Sequence, residues 1–270
     1  MATRYTVTAL ARAVDVLELL ARQPKGMRLA EITRETGIPK STLFRILSTL
    51  EERRCVTADD EQGTYRLGLK LGELGNAFLN QSDLYNAATR RMRRLAEGCE
   101  ESVFLSVLDE GAVVYVRRME NPKSAVVVRK LGQRAPAYCT ATGLAMLAFL
   151  PDDEAERVLD AQALQAFTAH TTTNRSALRQ KLAQVRRERV AVVDGEYNPA
   201  LLCVASPILD ARGAPAAALT VAVLASQARQ EQVTDLKEQV RAAAQDVSAE
   251  LGYWGERSAD ASLQPTGHHV

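Results

Sequence analysis

The feature that most constrains this chain is a pair of helix patterns separated by a tight turn near the N-terminus. Residues 29–36 carry an apolar pattern typical of a short helix, and Gly37 is placed to end that helix in a left-handed cap. After a turn around Pro39, Ser41 is predicted to cap a longer helix. The buried face of that helix has apolar residues at helical spacing: Leu43, Ile46, Leu47 and Leu50. Two helices joined across a glycine turn are typical of a helix-turn-helix.

The residues around this pair complete a winged helix-turn-helix domain over residues 1–67. A preceding helix is predicted over about 8–22, with Thr8 as its N-cap. Its predicted buried face is formed by Leu10, Val14, Leu17 and Leu20. After the pair, Cys55–Ala58 and Thr64–Leu67 are predicted strands on either side of a polar turn, and this small hairpin would be the wing.

The longer helix carries a polar face opposite its apolar one, and Arg45 lies on that polar face. A recognition helix enters the major groove with its N-terminal residues nearest the bases, where an arginine can donate two hydrogen bonds to guanine. Hydroxyl and amine groups at the helix start suit phosphate contacts. The alternative is a solvated face, since every surface helix needs one. The predicted DNA-contacting residues are Arg28, Lys40, Ser41, Thr42, Arg45, Thr49, Tyr65 and Arg66.

The charge balance limits the kind of nucleic-acid binding that the chain can perform. The 270 residues, enough for about two domains, contain 34 Lys and Arg against 33 Asp and Glu, a formal net charge of +1. This balance excludes a globally basic coat for nucleic acid as well as an acidic disordered chain. DNA affinity would therefore depend on the local placement of a few charges and on dimerisation.

The sequence offers little material for catalysis or for a metal site. Of the three histidines, His170 alone lies outside the pair near the C-terminus. The cysteines have no metal-ligand spacing, so we predict free thiols at Cys55, Cys99, Cys139 and Cys203. Motifs of serine hydrolases, zinc proteases and nucleotide-binding proteins are absent. We therefore expect no enzyme activity, no catalytic residue, no cofactor and no metal.

No targeting or membrane segment is expected either. The N-terminal residues lack the apolar core of a signal peptide. No apolar run approaches the roughly 18 residues that a membrane span needs. The sequence therefore predicts a cytoplasmic protein with no membrane partner.

A helix predicted over residues 68–81 would link the winged domain to the rest of the chain. Its apolar stripe is formed by Leu67, Leu71, Leu74 and Phe78. Gly68, Gly72 and Gly75 form a stripe of small residues along which another backbone can approach closely. We favour a dimer contact for this helix, and packing against its own winged domain is the alternative.

Residues 82–255 mix helix and strand patterns, which predicts an α+β domain with a largely antiparallel sheet. The predicted strands are Ser102–Leu108, Ala112–Arg117, Ala125–Arg129, 201–210 and 216–224. The predicted helices span about 83–98, 140–150, 152–160, 174–189 and 231–251. Residues 256–270 are polar and are predicted to form a flexible tail. The basic cluster on the first of these helices is interpreted as a solvated or salt-bridged face, with a second DNA contact as the alternative: Arg90, Arg91, Arg93 and Arg94.

Several segments in this order resemble the IclR family of bacterial transcriptional regulators, over about residues 8–252. In the first domain they are Leu10–Leu17, Gly37–Leu47 and Tyr65–Gly68. In the second domain they are Gly132–Pro136, Thr140–Gly143 and Cys203–Pro207. The resemblance implies a DNA-binding transcriptional regulator controlled by a small-molecule effector, often a carboxylate or an aromatic catabolite. It also implies a GAF-like effector domain, and dimers that frequently pair into tetramers on double-stranded DNA with a pseudo-palindromic operator.

By the same resemblance, the effector pocket is built from Ala137–Leu144, the stretch before Cys203 and the strand around Thr220. Thr140–Gly143 fall at a predicted helix start, where free N–H groups and the helix dipole favour an anion. Simple packing is the alternative for the two cysteines. The predicted effector-binding residues are Phe104, Tyr115, Ala137, Tyr138, Cys139, Thr140, Ala141, Thr142, Gly143, Asp194, Leu202, Cys203 and Thr220.

Three positions depart from the family pattern and make the pocket less polar. Leu144 stands where many members have lysine, Ala222 offers no hydroxyl, and Ala200 stands where glycine is common. These departures favour an aromatic or more apolar acid over a very small one such as glyoxylate. Glu196 and Asn198 are further polar candidates, although a solvated surface position is expected for Glu196.

A thiol-based redox sensor that uses Cys139 or Cys203 is the alternative function. It predicts that Cys→Ser exchange abolishes the DNA response and that no metabolite alters it. In the effector model, ligand binding must favour one arrangement of the DNA-binding domains over another, because equal affinity for both shifts nothing. The linker helix over 68–81 is the expected lever.

Overall fold

The computed structural model describes residues 6–59, 61–80, 83–126 and 131–255, without the side chains of residues 78–80. The chain divides into two compact units, residues 1–82 and 83–270, and each is described by itself. Of the helices within the described ranges, none has the length and the apolar composition needed to cross a membrane.

The first unit is a winged helix-turn-helix, as predicted. Its helices are α1 Thr8–Ala21, α2 Leu29–Thr36, α3 Lys40–Glu52 and α4 Leu69–Asn80. Its strands are β1 Met27–Arg28, β2 Val56–Asp59 and β3 Thr64–Leu67, paired antiparallel in the order β1-β3-β2. Helices α1 to α3 and the sheet enclose one apolar core around Ile32, Leu43 and Leu47.

The turn between α2 and α3 has the predicted geometry. Gly37 ends α2 in the left-handed conformation with φ 67°, and its N–H donates to the carbonyl of Thr33 over 2.9 Å. Glycine adopts this conformation without the steric penalty of a Cβ atom. The sequence does not predict β1, because two residues are too few to show an alternating pattern. This strand pairs with β3 through Met27 opposite Tyr65.

Two predicted N-caps are wrong. Val7 rather than Thr8 precedes α1, and Pro39 rather than Ser41 precedes α3, in both cases without a side-chain cap. The position before a helix needs extended backbone, and Pro39 supplies it with φ −54° and ψ 139°. Ser41 therefore falls inside the first turn of α3.

The buried face of α1 also differs from the prediction. Val16 and Leu20 are buried, whereas Leu10 and Val14 are 66% and 52% exposed. The helix has apolar residues on two faces, and packing against the core of its own unit selects the face that contains Val16. The first unit consequently presents an apolar strip of α1 on its surface.

The second unit is α+β, as predicted, and its described part contains an antiparallel sheet with helices on both faces. The strands are β4 Val103–Asp109, β5 Ala112–Met119, β6 Arg134–Pro136, β7 Ala191–Asp194, β8 Leu201–Leu209 and β9 Pro215–Leu224. They pair in the order β6-β5-β4-β9-β8-β7. The helices are α5 Asp83–Cys99, α6 Ala141–Leu147, α7 Asp152–Asp160, α8 Arg175–Glu188 and α9 Gln230–Glu250.

Alternation along β8 separates two apolar cores. Val204 and Ile208 belong to the core on the side of α5 and α9. Ala205 belongs to the opposite core, on the side of α6 and α8. Because successive strand residues point to opposite faces, Leu201, Cys203 and Ala205 share the α6 side of the sheet.

The short strands β6 and β7 are absent from the sequence prediction. They lie at the two edges of the sheet and have three and four residues, too few for a clear alternating pattern. The predicted strand over 125–129 is not found at positions 125 and 126, and its other positions lie outside the described residues. The predicted tail 256–270 and position 81 of the linker helix lie outside them too.

The basic cluster of α5 is at least partly a salt-bridged face. Arg90 and Arg91 contact the carboxylate of Glu250 on α9 over 2.7 Å and 3.0 Å. Arg91 also lies 3.4 Å from the carboxylate of Asp246. The salt-bridge interpretation is therefore confirmed for these two arginines.

Candidate functional site

The exposed face of α3 carries the side chains expected to read DNA. Lys40, Ser41 and Arg45 are exposed, and Thr42 is half-buried. Within the described residues, none of these four side chains forms a hydrogen bond or an ion pair. Their donors are thus free to meet phosphates or base edges, which is what a recognition helix requires.

Two further predicted reader residues are held by neighbours. Thr49 donates its hydroxyl hydrogen bond to the carbonyl of Arg45 over 2.9 Å, so this hydroxyl is satisfied within α3. The guanidinium of Arg66 lies 3.6 Å from the carboxylate of Asp59 across the wing, and the side chain remains 45% exposed. Asp59 therefore holds the Arg66 guanidinium at the wing, and a contact between Arg66 and a phosphate would be made from this position.

Tyr65 and Arg28 lie where the wing meets β1. Tyr65 is half-buried against the core of the first unit. The backbone N–H of Arg28 donates to the carboxylate of Glu31 over 2.7 Å at the start of α2, and its side chain is exposed. The predicted contacts of both residues with DNA remain predictions.

Sequence reasoning missed one residue on the reading helix. Phe44 is 55% exposed, whereas its neighbour Leu43 is fully buried. The signal was available, because Phe44 falls outside the apolar spacing of Leu43, Ile46 and Leu47 and must point elsewhere.

The second unit contains a largely apolar cavity on the α6 side of its sheet. The space open to the centre of a water molecule is about 50 Å³, and the total space not filled by atoms, with the opening to solvent included, is about 580 Å³. Strands β4, β5, β7, β8 and β9 form one wall and the start of α6 another. The lining residues are Phe104, Tyr115, Val126, Cys139, Thr140, Ala141, Thr142, Val193, Glu196, Tyr197, Asn198, Leu201, Cys203, Thr220 and Ala222.

Eight of the predicted effector-binding residues line this cavity and five do not. Those that line it are Phe104, Tyr115, Cys139, Thr140, Ala141, Thr142, Cys203 and Thr220. Those that do not are Ala137, Tyr138, Gly143, Asp194 and Leu202.

Leu202 and Asp194 are opposite each other on β8 and β7, and Leu202 packs into the core beneath α5 and α9. Strand alternation therefore turns Leu202 away from the cavity, and Val193 and Cys203 take the cavity side. The alternation would have identified Leu201 and Val193 as lining residues if β7 had been recognised.

Ala137 and Gly143 pack directly on each other. A Cβ atom on Gly143 would lie 2.1 Å from the carbonyl oxygen of Ala137, so only glycine fits at this position. Tyr138 points to another side, where its hydroxyl donates to the carbonyl of Gln165 over 2.7 Å. Burial raises the pKa of the Tyr138 phenol above its usual value.

The first turn of α6 faces the cavity with its backbone donors. The hydroxyl of Thr140 caps this turn by accepting the N–H of Gly143 over 3.2 Å, and its own proton goes to the carbonyl of Pro136 over 3.0 Å. The N–H groups of Ala141 and Thr142 have no partner within the helix, as helix geometry requires for a first turn. Both residues line the cavity.

A pair of threonine hydroxyls lies beside these donors. The hydroxyl oxygens of Thr142 on α6 and Thr220 on β9 are 2.7 Å apart and buried. One hydrogen bond between two hydroxyl groups uses one of their two protons, so the other proton can be donated to a different acceptor. Because both residues line the cavity, the pair offers a hydroxyl donor to a molecule inside it.

The polar groups of the loop between β7 and β8 lie at some distance from this pair. Thr220 is opposite Ala205 on β8, whereas the loop joins β8 at Leu201, four residues away. Four strand residues span roughly 13 Å. Between these levels, Cys203 and Ala222 face each other and contribute small side chains to the wall.

Glu196 on this loop is buried, with 4% exposure, so its expected solvated position is wrong. Its carboxylate accepts hydrogen bonds from Lys181 Nζ over 2.6 Å and from the N–H of Thr172 over 2.9 Å. The ammonium of Lys181 neutralises Glu196, the one charged side chain among the described residues that line the cavity.

The segment 167–172 holds the same loop in place. Thr168 and Thr171 donate their hydroxyls to the carbonyls of Gly195 and Glu196 over 2.7 Å and 2.6 Å. The ring of Phe167 meets that of Tyr197 edge-on with centroids 4.9 Å apart. This segment fixes the wall of the cavity from outside, without lining it.

Metal-binding side chains do not cluster in the part of the chain that the structure describes, where no group of three or more His, Cys, Asp or Glu could hold an ion. None of the four cysteines forms a disulfide bond, as predicted. Cys139 is buried and Cys203 is half-buried, and both line the cavity.

Comparison with known families decides what kind of protein this geometry belongs to. Residues 9–60 match the model of the IclR helix-turn-helix domain. Residues 76–249, more than half of the chain, match the model of the bacterial transcriptional regulator IclR C-terminal domain. The chain belongs to the IclR family. It is accordingly a DNA-binding transcriptional regulator with an effector-binding C-terminal domain.

Individual relatives of this IclR-family chain agree over nearly its whole length. The HTH-type transcriptional regulator XynR of Escherichia coli K12 is 29% identical over 247 residues, 92% of this chain and 98% of that regulator. An IclR transcriptional regulator from Alicyclobacillus acidocaldarius superposes with a TM-score of 0.84 at 29% identity, over 92% of this chain and 100% of that one. An IclR homologue from Microbacterium hydrocarbonoxydans, solved in complex with 4-hydroxybenzoate, gives a TM-score of 0.78 at 27% identity over 90% and 98%.

Proposed function

We propose that this regulator senses a small aromatic or similarly apolar carboxylic acid, bound in the cavity of the second unit. The observation that carries the proposal is the asymmetry of that cavity. One end offers two backbone N–H groups and the Thr142–Thr220 hydroxyl pair, and most other lining side chains are apolar. A carboxylate at the polar end and an apolar body beyond it match this distribution.

Among the described lining residues, backbone N–H groups and hydroxyls rather than a side-chain cation would hold the acid. Leu144, where a lysine would stand in many members, is buried behind the first turn of α6. Backbone N–H groups at a helix start and a hydroxyl can bind a carboxylate through charge-assisted hydrogen bonds. The body of the ligand would then pack between Phe104, Tyr115 and the wall formed by Cys203 and Ala222.

The far end of the cavity would favour a second polar group on the ligand. Asn198 and the neutralised carboxylate of Glu196 lie there, and both can accept a hydrogen bond. A hydroxyl on the opposite side of an aromatic ring would reach this end. The 4-hydroxybenzoate bound by the Microbacterium homologue has this shape, which supports a hydroxylated aromatic acid as the effector here.

The DNA-binding role would belong to the winged domain over residues 1–67. We propose that Arg45, Ser41 and Thr42 face base edges and that Lys40 and Arg66 face phosphates. The regulator would act as a homodimer or a dimer of dimers on a pseudo-palindromic operator, because two-fold symmetric proteins pair two half-sites. The exposed Leu10 of α1 supports self-association, since it leaves apolar surface uncovered.

The effector domain would span residues 82–255 and act on the winged domain over residues 1–67 through the linker helix over 68–81. Ligand binding must discriminate between two arrangements of the winged domains, and the regulator would repress or activate according to which arrangement fits the operator. This coupling has a reciprocal consequence, because DNA must change effector affinity by the same factor.

Isothermal titration calorimetry of the full chain with 4-hydroxybenzoate, benzoate and glyoxylate tests the proposal. We expect 4-hydroxybenzoate to bind more tightly than benzoate, and glyoxylate to bind most weakly. Thr142→Val should weaken all three acids by removing the hydroxyl pair. Thr234→Val on α9, whose hydroxyl donates within its own helix, is the matched control and should change nothing. Equal binding of the acids by the two variants would contradict the assignment of the cavity.

The thiol alternative predicts a different outcome in the same assays. Cys139 is buried in the apolar core on the α6 side of the sheet and Cys203 packs against that core, so packing accounts for the small side chains at these positions. Cys139→Ser and Cys203→Ser should therefore keep the DNA response to the acid. Loss of the response to an oxidant in these variants, with no response to any acid in the wild type, would favour the redox sensor instead.

A further inference from the structure

Phe44 is an exposed aromatic residue on a helix that otherwise buries its large apolar side chains. It is 55% exposed, whereas Leu43, Ile46 and Leu47 are 8% exposed or less. An isolated exposed apolar residue is ordinary on a protein surface. The position of Phe44 is what makes it informative, because it lies in the N-terminal half of α3, where a recognition helix approaches the bases.

The helical spacing places Phe44 on the reading face. It follows Ser41 by three residues and precedes Ser48 by four, so these three side chains lie along one stripe of the helix. Both serines are exposed, and Arg45 lies next to the stripe. The stripe is therefore polar apart from one aromatic ring at its centre.

We propose that Phe44 makes an apolar contact with the 5-methyl group of a thymine in the operator, beside the base that Arg45 reads. The proposal rests on the proposed placement of α3 in the major groove. Among the groups in that groove, the thymine methyl is the one that an apolar side chain recognises, because the other base-edge groups there are hydrogen-bond donors or acceptors. The polar side chains of this face would thus bind hydrogen-bonding base edges, and Phe44 would add recognition of a thymine.

The charges around Phe44 favour DNA over a second copy of this chain. Lys40 and Arg45 are exposed on either side of it in the sequence, and the acidic Glu51 and Glu52 lie at the other end of α3. A two-fold symmetric contact between two copies centred on Phe44 would bring the two Arg45 side chains, one position from the centre, close together, and like charges at an interface disfavour association. The phosphates that flank a major groove neutralise these groups instead.

The test uses the wild-type full chain to select binding sites from a pool of random-sequence DNA duplexes. Each thymine of the selected site is then replaced in turn by deoxyuridine, which lacks only the methyl group. We expect one replacement per half-site to weaken binding about fourfold, as the loss of one buried methyl contact implies. Phe44→Ala should bind the selected site more weakly and should not distinguish thymine from uracil at that position. Fluorescence anisotropy measures both affinities.

Two controls separate this contact from a general effect. Phe44→Leu should retain most of the preference for thymine, because leucine also presents apolar atoms. Trp254→Ala removes another exposed aromatic residue, 69% exposed in the second unit, and should leave every affinity unchanged. Sedimentation velocity should give the same oligomeric state for Phe44→Ala as for the wild type.

Three outcomes would overturn the inference. Uracil replacement that has no effect at any thymine, or the same effect on wild type and Phe44→Ala, would exclude a methyl contact through Phe44. A change of oligomeric state in Phe44→Ala would assign the residue to contact with a second copy. Failure to enrich any duplex would contradict the DNA-reading role of α3 as well, which distinguishes it from failure of the Phe44 contact alone.

Discussion

The two candidate sites of this regulator are built in opposite ways. The face of α3 proposed to read DNA presents exposed side chains, such as Lys40 and Arg45, that form no hydrogen bond or ion pair within the described residues. The cavity is lined by buried polar groups that already have partners, such as the Thr142–Thr220 hydroxyl pair and the Glu196 carboxylate, which Lys181 contacts from outside the lining. The hydrogen-bond donors on α3 are therefore free to bind DNA, whereas the groups around the cavity form hydrogen bonds with one another that maintain its shape.

This difference predicts how the two sites respond to substitution. Removing an exposed side chain of the reader should change DNA binding and leave the stability of the protein nearly unchanged. Removing a buried group of the cavity should change both ligand binding and stability, because the same groups support the fold. The following experiments test the contrast, in order of decreasing expected effect.

The largest effect is expected from Gly143→Ala at the start of α6. The added Cβ would meet the Ala137 carbonyl oxygen at 2.1 Å, and both sides of this contact are backbone that cannot rotate away. We expect the free energy of unfolding to fall by about 3 kcal/mol or more. Gly98→Ala on α5 is the matched control, because its Cβ would have an ordinary contact of 3.6 Å. Urea denaturation should show an unchanged or slightly raised stability for the control, and equal losses in both variants would contradict the packing described at α6.

The next largest effect is expected in the reader. Arg45→Ala should lower affinity for a selected operator by about tenfold or more and relax the preference at one base pair. The melting temperature should stay the same, because the Arg45 side chain has no partner among the described residues. Thr49→Ala is the comparison, and its effect should be small because the Thr49 hydroxyl is satisfied by the carbonyl of Arg45. A lower melting temperature for Arg45→Ala would contradict the expectation that exposed side chains of α3 affect DNA binding without affecting stability.

A smaller effect is expected from the ion pair behind the cavity. Lys181→Met leaves the buried carboxylate of Glu196 with only the N–H of Thr172 as partner, and we expect a loss of about 1–2 kcal/mol, since Lys181 is 35% exposed at its side chain. Arg179→Met, also on α8, breaks a pair with Glu156 on α7, whose side chain is 36% exposed against 5% for Glu196. Chemical denaturation should register the first variant clearly and the second hardly at all. An equal loss of stability in the two variants would mean that the burial of Glu196 does not increase the contribution of its ion pair to stability.

The smallest effect is expected from Lys40→Ala. A lysine at the start of α3 would contact a phosphate, so its loss should weaken all duplexes by a similar, severalfold factor. The dependence of log affinity on log salt concentration should become shallower by about one unit. Anisotropy titrations at several salt concentrations measure this slope. A loss that is confined to one sequence would instead place Lys40 at a base.

The reader was the more predictable of the two sites because its determinants are local in sequence. The pattern from residue 29 to residue 50 contains both helices and Gly37, whose left-handed conformation the structure has. Prediction failed in this unit at α1, because this helix has apolar residues on two faces and either face could be buried. In the structure Val16 is buried and Val14 is exposed. Phe44 was missed for a related reason, because its chemistry matches the core although its spacing does not.

The cavity depends on contacts between distant segments, and the sequence alone does not fix these. Thr142 and Thr220 bond across 78 positions, so each residue could be suspected but not their pairing. Leu202 was expected in the cavity and lies in the opposite core, because the register of β8 decides which residues face α6. Glu196 was expected in solvent, and its buried carboxylate is neutralised by Lys181, which lies on α8, 15 positions away in the sequence.

The measurement that tests the account most directly is the linkage between the cavity and DNA. A selected operator duplex is titrated with the wild-type chain in the absence and presence of saturating 4-hydroxybenzoate, and the experiment is repeated with Thr142→Val. We predict that the acid changes the affinity of the wild type for the operator by about fivefold or more, in either direction, and that Thr142→Val keeps its DNA affinity without the response. Acid that binds the cavity but leaves operator affinity unchanged would contradict the account.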